Sequence, residues 1–184
     1  MQRKNFGANQ VLKPSSFYTP ADEQEVLQIL DKHRGQRIRA VGSLHSWSDA
    51  ILGDDVLLDL RRLNAVQLHS EGDQLVAEVG AGCQIKRLLK ELNRHDATLQ
   101  SLGLITEQTI AGAISTGTHG SGRHSMSHYV EGVRLARYDA STGKVVIDEL
   151  STGEPLQAAR CSLGSLGIIL SVRIHCREQY NVKE

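Results

Sequence analysis

The sequence predicts an α+β chain of two α/β subdomains, the second built on an antiparallel sheet flanked by helices. Three observations predict it. Helix-like and strand-like periodicities alternate through the first half of the chain. Paired strand-like runs with turn residues between them dominate the second half. The 17 glycines are gathered into a few segments rather than spread along the 184 residues.

Length and composition bound the reading. A chain of 184 residues suits one domain, or two small subdomains sharing a core. The 21 Lys and Arg balance the 21 Asp and Glu. A duplex-binding module shows a basic surplus, so nucleic acid is not an expected partner. No apolar run approaches the ~18 residues of a membrane-spanning helix. The basic N-terminus lacks an apolar stretch behind it, so a secretory signal is not expected and a cytoplasmic location is. Cys83, Cys161 and Cys176 are scattered and form no CxxC pair. Neither a zinc ribbon nor a disulfide framework is indicated, and core thiols are expected.

The first helix opens at Pro20, with Thr19 as the predicted N-cap and Val26, Leu27, Ile29 and Leu30 as its apolar face. Gly35 ends it. Residues 36–41 read as a strand, followed by a turn at Gly42, and 56–60 as a second strand. Residues 65–68 and 75–79 form a strand pair joined at the turn dipeptide Gly72-Asp73. A helix over 84–93 follows, with Ile85, Leu88, Leu89 and Leu92 at helical spacing. The stretch 112–122 is rich in Gly, Ser and Thr and shows no clean period. Residues 133–138 and 144–147 pair around Ser141-Thr142-Gly143. A short helix over 156–160 and a strand over 168–176 complete the pattern. The predicted subdomains are 15–80 and 81–178.

Three segments combine glycine with small hydroxyl residues. They are Val41-Gly42-Ser43-Leu44-His45-Ser46-Trp47-Ser48-Asp49, the run from Ile110 to Gly122, and Leu163-Gly164-Ser165-Leu166-Gly167-Ile168-Ile169. Glycine lets backbone approach a ligand closely and lets successive N–H groups converge on an anion. Ser and Thr add hydroxyl donors. Three such segments in a neutral chain point to an extended phosphorylated cofactor, because inorganic phosphate would need only one. The common nucleotide fingerprints fail. No G-x-x-x-x-G-K-[ST] is present. Gly80-Ala81-Gly82 precedes a helix, but Ile85 fills the third position of G-x-G-x-x-G, where close packing wants a small residue. This segment reads as a helix-entry turn.

With these residues on the page, the chain resembles the flavin-binding domain of the vanillyl-alcohol-oxidase-type flavoproteins, closest to the sugar-1,4-lactone oxidases and alditol oxidases. The first segment is similar to the family's V-G-x-G-H-S-x-S-D. Residues 105–120, Ile-Thr-Glu-Gln-Thr-Ile-Ala-Gly-Ala-Ile-Ser-Thr-Gly-Thr-His-Gly, resemble its second flavin segment. Gln157-Ala158-Ala159-Arg160 and the run from Leu163 to Leu170 resemble its third. The resemblance spans residues 15 to 176. It implies a PCMH-type FAD-binding fold with FAD as cofactor.

The resemblance also implies roles. Val41, Gly42, Ser43, Leu44, His45 and Ser46 would wrap the pyrophosphate through backbone N–H groups. His45 stands where family members bond an imidazole to the 8α-methyl of the flavin. Gly112, Ala113, Ile114, Ser115 and Thr116 would run beside the pyrophosphate and ribityl chain, with Ser101 and Thr109 nearby. His119 would touch the flavin region, and Ile168 or Ile169 the adenine side. Leu44 departs from the glycine that usually precedes the linking histidine. Family enzymes also carry a cap domain that holds the substrate, which is not expected within these 184 residues.

Blander readings stand beside these. His45 and His119 could be loop histidines, and Asp49 a turn cap. Trp47 could simply pack beside its loop. Gly164 and Gly167 could only shape a turn before a strand. His119, His124 and His128 have the spacing H-x4-H-x3-H, which could gather imidazoles for zinc, but no carboxylate or thiol lies near and no metal is expected. Ser43 and Ser46 lack a Ser–His–acid constellation. The expected function is the FAD-binding part of an oxidoreductase acting on an alcohol group of a sugar lactone, alditol or related polyol. Hydride would pass to the flavin, which oxygen or another acceptor would reoxidise. The alternative is a stand-alone or split FAD-binding module without catalysis of its own.

Overall fold

The computed structural model describes residues 2–52, 55–72 and 74–181. Two short strands, β1 (Arg3–Lys4) and β2 (Val11–Leu12), pair antiparallel at the N-terminus. A parallel sheet follows, made of β3 (Ser16–Tyr18), β4 (Ile38–Val41) and β5 (Val56–Asp59) in the order β3-β5-β4. Between β3 and β4 runs α1 (Glu23–Lys32). The connection is required, because parallel strands cannot be joined by a tight turn.

The larger sheet is antiparallel. It contains β6 (Val66–Glu71), β7 (Gln74–Gly80), β9 (Val130–Tyr138), β10 (Val145–Leu150) and β11 (Ile168–Glu178) in the order β10-β9-β11-β7-β6. A short strand, β8 (Ala97–Leu99), pairs with the end of β11. Helices α2 (Ile85–Asn93), α3 (Ile110–Ser115) and α4 (Gly153–Arg160) complete the fold. One continuous core joins both sheets. It includes Val26 of α1, Val56 and Leu58 of β5, Leu88 of α2, Ile114 of α3 and Ile174 of β11. The mixed helices and antiparallel sheet agree with the predicted fold class.

The boundary between the sheets lies between β5 and β6. The predicted subdivision at residue 80 falls inside the antiparallel sheet, because β7 pairs with β11 along its length and carries β6 with it. A hairpin over 66–80 looks local in sequence. Its partner is some 90 residues away, so its sheet is decided by long-range pairing.

Most predicted elements form with shifted ends. The N-cap of α1 is Asp22, not Thr19: its carboxylate accepts the N–H of Glu25 at 2.9 Å, and Glu25 accepts the N–H of Ala21 at 2.7 Å. The pair resembles a capping box, with Glu25 reaching the N–H one residue before the N-cap. The hairpin of β9 and β10 forms as expected. Its turn is held by Asp139, whose Oδ1 accepts the Thr142 N–H at 2.8 Å and the Ser141 hydroxyl at 2.6 Å. These donors hold the Asp139 carboxyl well below the usual carboxylate range. In the Gly72-Asp73 turn, Asp73 lies outside the described residues.

Gly80-Ala81-Gly82 behaves as a helix-entry turn. A Cβ on Gly82 would stand 1.8 Å from the Leu60 carbonyl oxygen, so the segment is pressed against the connection between the sheets. Ile85 is 1% exposed and packs in the core. The glycines serve chain crossing at this point.

Among the described residues no helix is long and apolar enough to cross a membrane. The three cysteines are free; Cys83 and Cys176 are buried and Cys161 is exposed. Burial pushes the Cys83 and Cys176 thiols up to about 11. A thiol reagent at pH 8 is therefore expected to modify Cys161 alone until the protein is denatured, as read by thiol counting. The raised values also set a pH dependence. Both thiols remain protonated in the folded chain while the unfolded chain ionises near ~8.5. Their contribution is full below that pH and declines as the pH rises towards 11, so the denaturant midpoint should fall across this window. Leu88→Ala, at a site with no exposure, should cost about 2–5 kcal/mol in chemical denaturation.

Candidate functional site

A cleft of about 490 Å³ opens between the end of the parallel sheet and α3. Its first wall is the chain leaving β4. Val41, Gly42, Ser43, Leu44, His45 and Ser46 all line it, followed by Trp47 and Ser48. Its second wall is the start and outer face of α3, with Thr109, Gly112, Ser115 and Thr116. The turn before β11 supplies Leu163, Gly164, Gly167 and Ile169. The three glycine-rich segments, widely separated in sequence, thus converge on one space.

The walls meet through backbone. A Cβ on Gly42 would stand 2.1 Å from Thr109 Oγ1, so the loop can lie this close only without a side chain. Thr109 is the N-cap of α3, and its Oγ1 accepts the Gly112 N–H at 3.4 Å. The Ser43 hydroxyl donates to the Glu107 carbonyl at 2.5 Å, and Gln84 Nε2 donates to the same carbonyl at 3.0 Å. These bonds join the first and second segments. Arg39 of β4 donates to the Leu163 carbonyl at 3.2 Å and joins the third.

Leu44 has a left-handed backbone, with φ +57°. Leu44 thus carries a side chain in a backbone region that favours glycine. A leucine in this region bears a steric penalty that glycine escapes. The Leu44 side chain packs on a small cluster of Leu12, Val41 and Leu57, which offsets that penalty. The His45 ring stacks on Phe6, with centroids 4.7 Å apart and planes 25° from parallel. Its Nδ1 is buried and has no hydrogen-bond partner.

Five of the expected residues lie off the cleft. Ala113 and Ile114 have no exposure, because they form the inner face of α3 and pack in the core. Ile168 is also core. Ser101 Oγ accepts the Gly120 N–H at 3.2 Å and braces the neighbouring loop. The His119 ring lies against the Gly120 carbonyl, Nδ1 to oxygen 3.1 Å. The rings of His124 and His128 stack at 4.2 Å. No group of three or more His, Cys, Asp or Glu that could hold a metal occurs among the described residues.

Sequence reasoning also missed residues that line the cleft. Arg39 and Ala40 flank the first quoted segment, and Gln108 and Ala111 lie inside the second without having been singled out as site residues. Leu60 and Ala81 come from the crossing between the sheets, where no local pattern marks them. The helix α3 was itself missed. Six residues with a central glycine give no readable period, and the helix owes its stability to its cap and buried face.

The site fits an extended dinucleotide. Its three glycine-rich walls carry Ser and Thr hydroxyls beside apolar side chains such as Val41, Ile51 and Leu60. The unpartnered imidazole nitrogen of His45 has lost water without gaining a partner, which a bound group can compensate.

Comparison with known proteins agrees with this geometry. Residues 14–147 match the family model described as "FAD binding domain". A long-chain alcohol oxidase from an uncultured marine euryarchaeote is 82% identical over 183 residues, covering 100% of this chain and 38% of that protein. The D-arabinono-1,4-lactone oxidase of Kluyveromyces lactis is 35% identical over 98% of this chain and 35% of its own. The L-gulonolactone oxidase of Mus musculus is 31% identical over 100% of this chain and 42% of its own. This chain therefore spans well under half the length of these relatives. Among solved structures, a solvent-stable cholesterol oxidase superposes with a TM-score of 0.84 at 18% identity, over 96% of this chain and 37% of that one. The fold is the PCMH-type flavoprotein fold. The three glycine-rich segments meet at one cleft, and the chain belongs to the FAD-binding domain family of the vanillyl-alcohol-oxidase-type flavoproteins.

Proposed function

We propose that this chain is the flavin-binding part of an oxidase that removes a hydride from an alcohol carbon. The convergence of three separate glycine-rich segments on one cleft carries the reading. FAD, when bound, supplies the two-electron acceptor for that oxidation. The backbone of Gly42, Ser43 and Leu44 would hold the pyrophosphate, with Thr109, Gly112 and Thr116 on the opposite wall. Ile169 and Gly167 would lie along the adenine side. Apolar side chains at Val41, Ile51 and Leu60 would exclude water from that groove.

His45 is proposed as the residue that bonds the flavin 8α-carbon. Its Nδ1 makes no hydrogen bond among the described residues. Such a C–N bond would replace one C–H of the methyl group and one N–H of the imidazole, with dioxygen as the two-electron oxidant that would leave as hydrogen peroxide.

The substrate of the whole protein is proposed to be an alcohol. The 82% identity to a protein named long-chain alcohol oxidase, against 31–35% to the lactone oxidases, favours an aliphatic alcohol over a sugar lactone.

Trp47 is the one tryptophan in the chain and lines the cleft. FAD is expected to quench its fluorescence saturably. A flavin absorption band should persist in the washed acid precipitate, and His45→Ala should release it to the supernatant while leaving a yellow protein before acid. A protein that neither takes up FAD nor changes its Trp47 emission would overturn the reading. Gly42→Ala should weaken FAD binding at least about tenfold, because the added methyl meets Thr109. Gly35→Ala should lower the denaturation midpoint, because Gly35 has φ +82°, but should leave FAD affinity of the folded chain unchanged, because Gly35 does not line the cleft.

A further inference from the structure

The first residues of the chain lie outside the family match, which begins at residue 14. Yet residues 5–10 grip four consecutive residues of the cleft loop. The Phe6 N–H donates to the Leu44 carbonyl at 2.8 Å. The Phe6 ring stacks on His45. Asn5 Nδ2 donates to the Ser46 carbonyl at 2.9 Å. Asn9 Nδ2 donates to the Trp47 carbonyl at 2.9 Å. A Cβ on Gly7 would stand 3.2 Å from the Trp47 ring, so the segment also lies flat on that side chain.

The segment is organised from within. Asn5 is 4% exposed. Its Oδ1 accepts the Gln10 N–H at 2.9 Å, and its Nδ2 also donates to Asn9 Oδ1 at 2.6 Å. A buried amide that both shapes its own turn and holds a distant loop is a designed contact, because leaving either group unpaired is costly. Leu12 follows on β2 and packs in the cluster that buries Leu44. By contrast, Phe6 is 66% exposed. It contributes little to a core, and its ring is spent on the imidazole. In the chain without a ligand, the left-handed Leu44 would otherwise be free to relax and swing His45 with it.

We propose that residues 5–10 form a clamp that presets the His45 loop for the flavin, with Phe6 as the positioning residue that fixes the plane of the imidazole. The inference rests on the assignment of this cleft to FAD. Holding the loop in its bound conformation before binding removes an ordering cost, so the clamp acts on affinity. Stacking also restrains rotation of the His45 ring, so the clamp acts on the fraction of flavin that becomes bonded. Phe6 is not among the residues lining the cleft and reaches it only through its contacts with Leu44 and His45 of the first wall.

The test uses the wild-type chain with Phe6→Ala, Phe6→Leu, Phe6→Tyr and Phe6→Trp. Three readouts are taken: FAD affinity by rapid filtration, the flavin retained in the acid precipitate, and the His45 ring-proton resonance by NMR without FAD. Phe6→Ala and Phe6→Leu should displace that resonance by removing the Phe6 ring current. They should weaken FAD about five- to tenfold, the equilibrium factor of one aromatic pair. They should also lower the retained flavin, with the thermal midpoint of the ligand-free chain little changed. Phe6→Tyr and Phe6→Trp should restore affinity to within about twofold. Unchanged affinity and retention in Phe6→Leu, with a displaced resonance, would overturn the proposal. So would equal loss in the Tyr, Trp and Leu variants. A wild-type chain that takes up no FAD would instead overturn the assignment of the cleft, and the clamp with it.

Discussion

Burial of Ile110, Ala113 and Ile114 in the core common to both sheets is the interaction on which the site depends. All three are fully buried, and they commit one face of a six-residue helix to the interior. The opposite face, with Gly112 and Thr116, is thereby turned to the cleft. So short a helix has no independent stability, since nucleation costs more than a single turn returns. Tertiary packing supplies it. Once α3 is fixed, Thr109 is fixed at its start, and the position of Thr109 dictates that residue 42 lack a side chain. The geometry of the first glycine-rich loop thus descends from apolar contacts on the far side of a helix.

The same logic explains how a chain with no net charge can hold an anionic cofactor. Glycine-rich loops at a groove can offer backbone N–H groups and hydroxyls as dipoles that are oriented in advance. Those dipoles work only if the backbone is held still. Hydrogen bonds from Ser43 and Gln84 to the Glu107 carbonyl, and from Arg39 to the Leu163 carbonyl, hold the three walls together. The N-terminal residues hold the remaining free side of the loop. Leu44 shows the consequence: a leucine keeps a glycine-like conformation because its surroundings over-determine it.

Periodic elements were legible in the sequence. The apolar spacing over 84–93 and the strand pairs around 72 and 142 depend on neighbours within one turn or one hairpin, and each formed where expected with shifts of a few residues. The three glycine-rich segments were legible as well, because conformational demands on backbone leave a compositional mark. What could not be read were elements that exist only through partners. The strand β8 is three residues held by the end of β11. The hairpin of β6 and β7 was read as part of the first subdomain, although its sheet is set by pairing with a strand about 90 residues later. Within the site, Ala113, Ile114 and Ile168 were drawn in with their neighbours, yet their side chains face the core.

The sequence by itself determined the α+β class, the order of the main elements and the positions of the three glycine-rich segments that meet at the cleft. These follow from local periodicity and from glycine's steric freedom, both of which are properties of short stretches. Only the tertiary structure decided which residues of those segments face the cleft, where one sheet ends and the other begins, and that the N-terminal residues close over His45. Those outcomes depend on contacts between residues tens of positions apart. Asn5 and Ser46, or Gly42 and Thr109, meet because a shared core places them together, and no pattern within either segment encodes the distance between them.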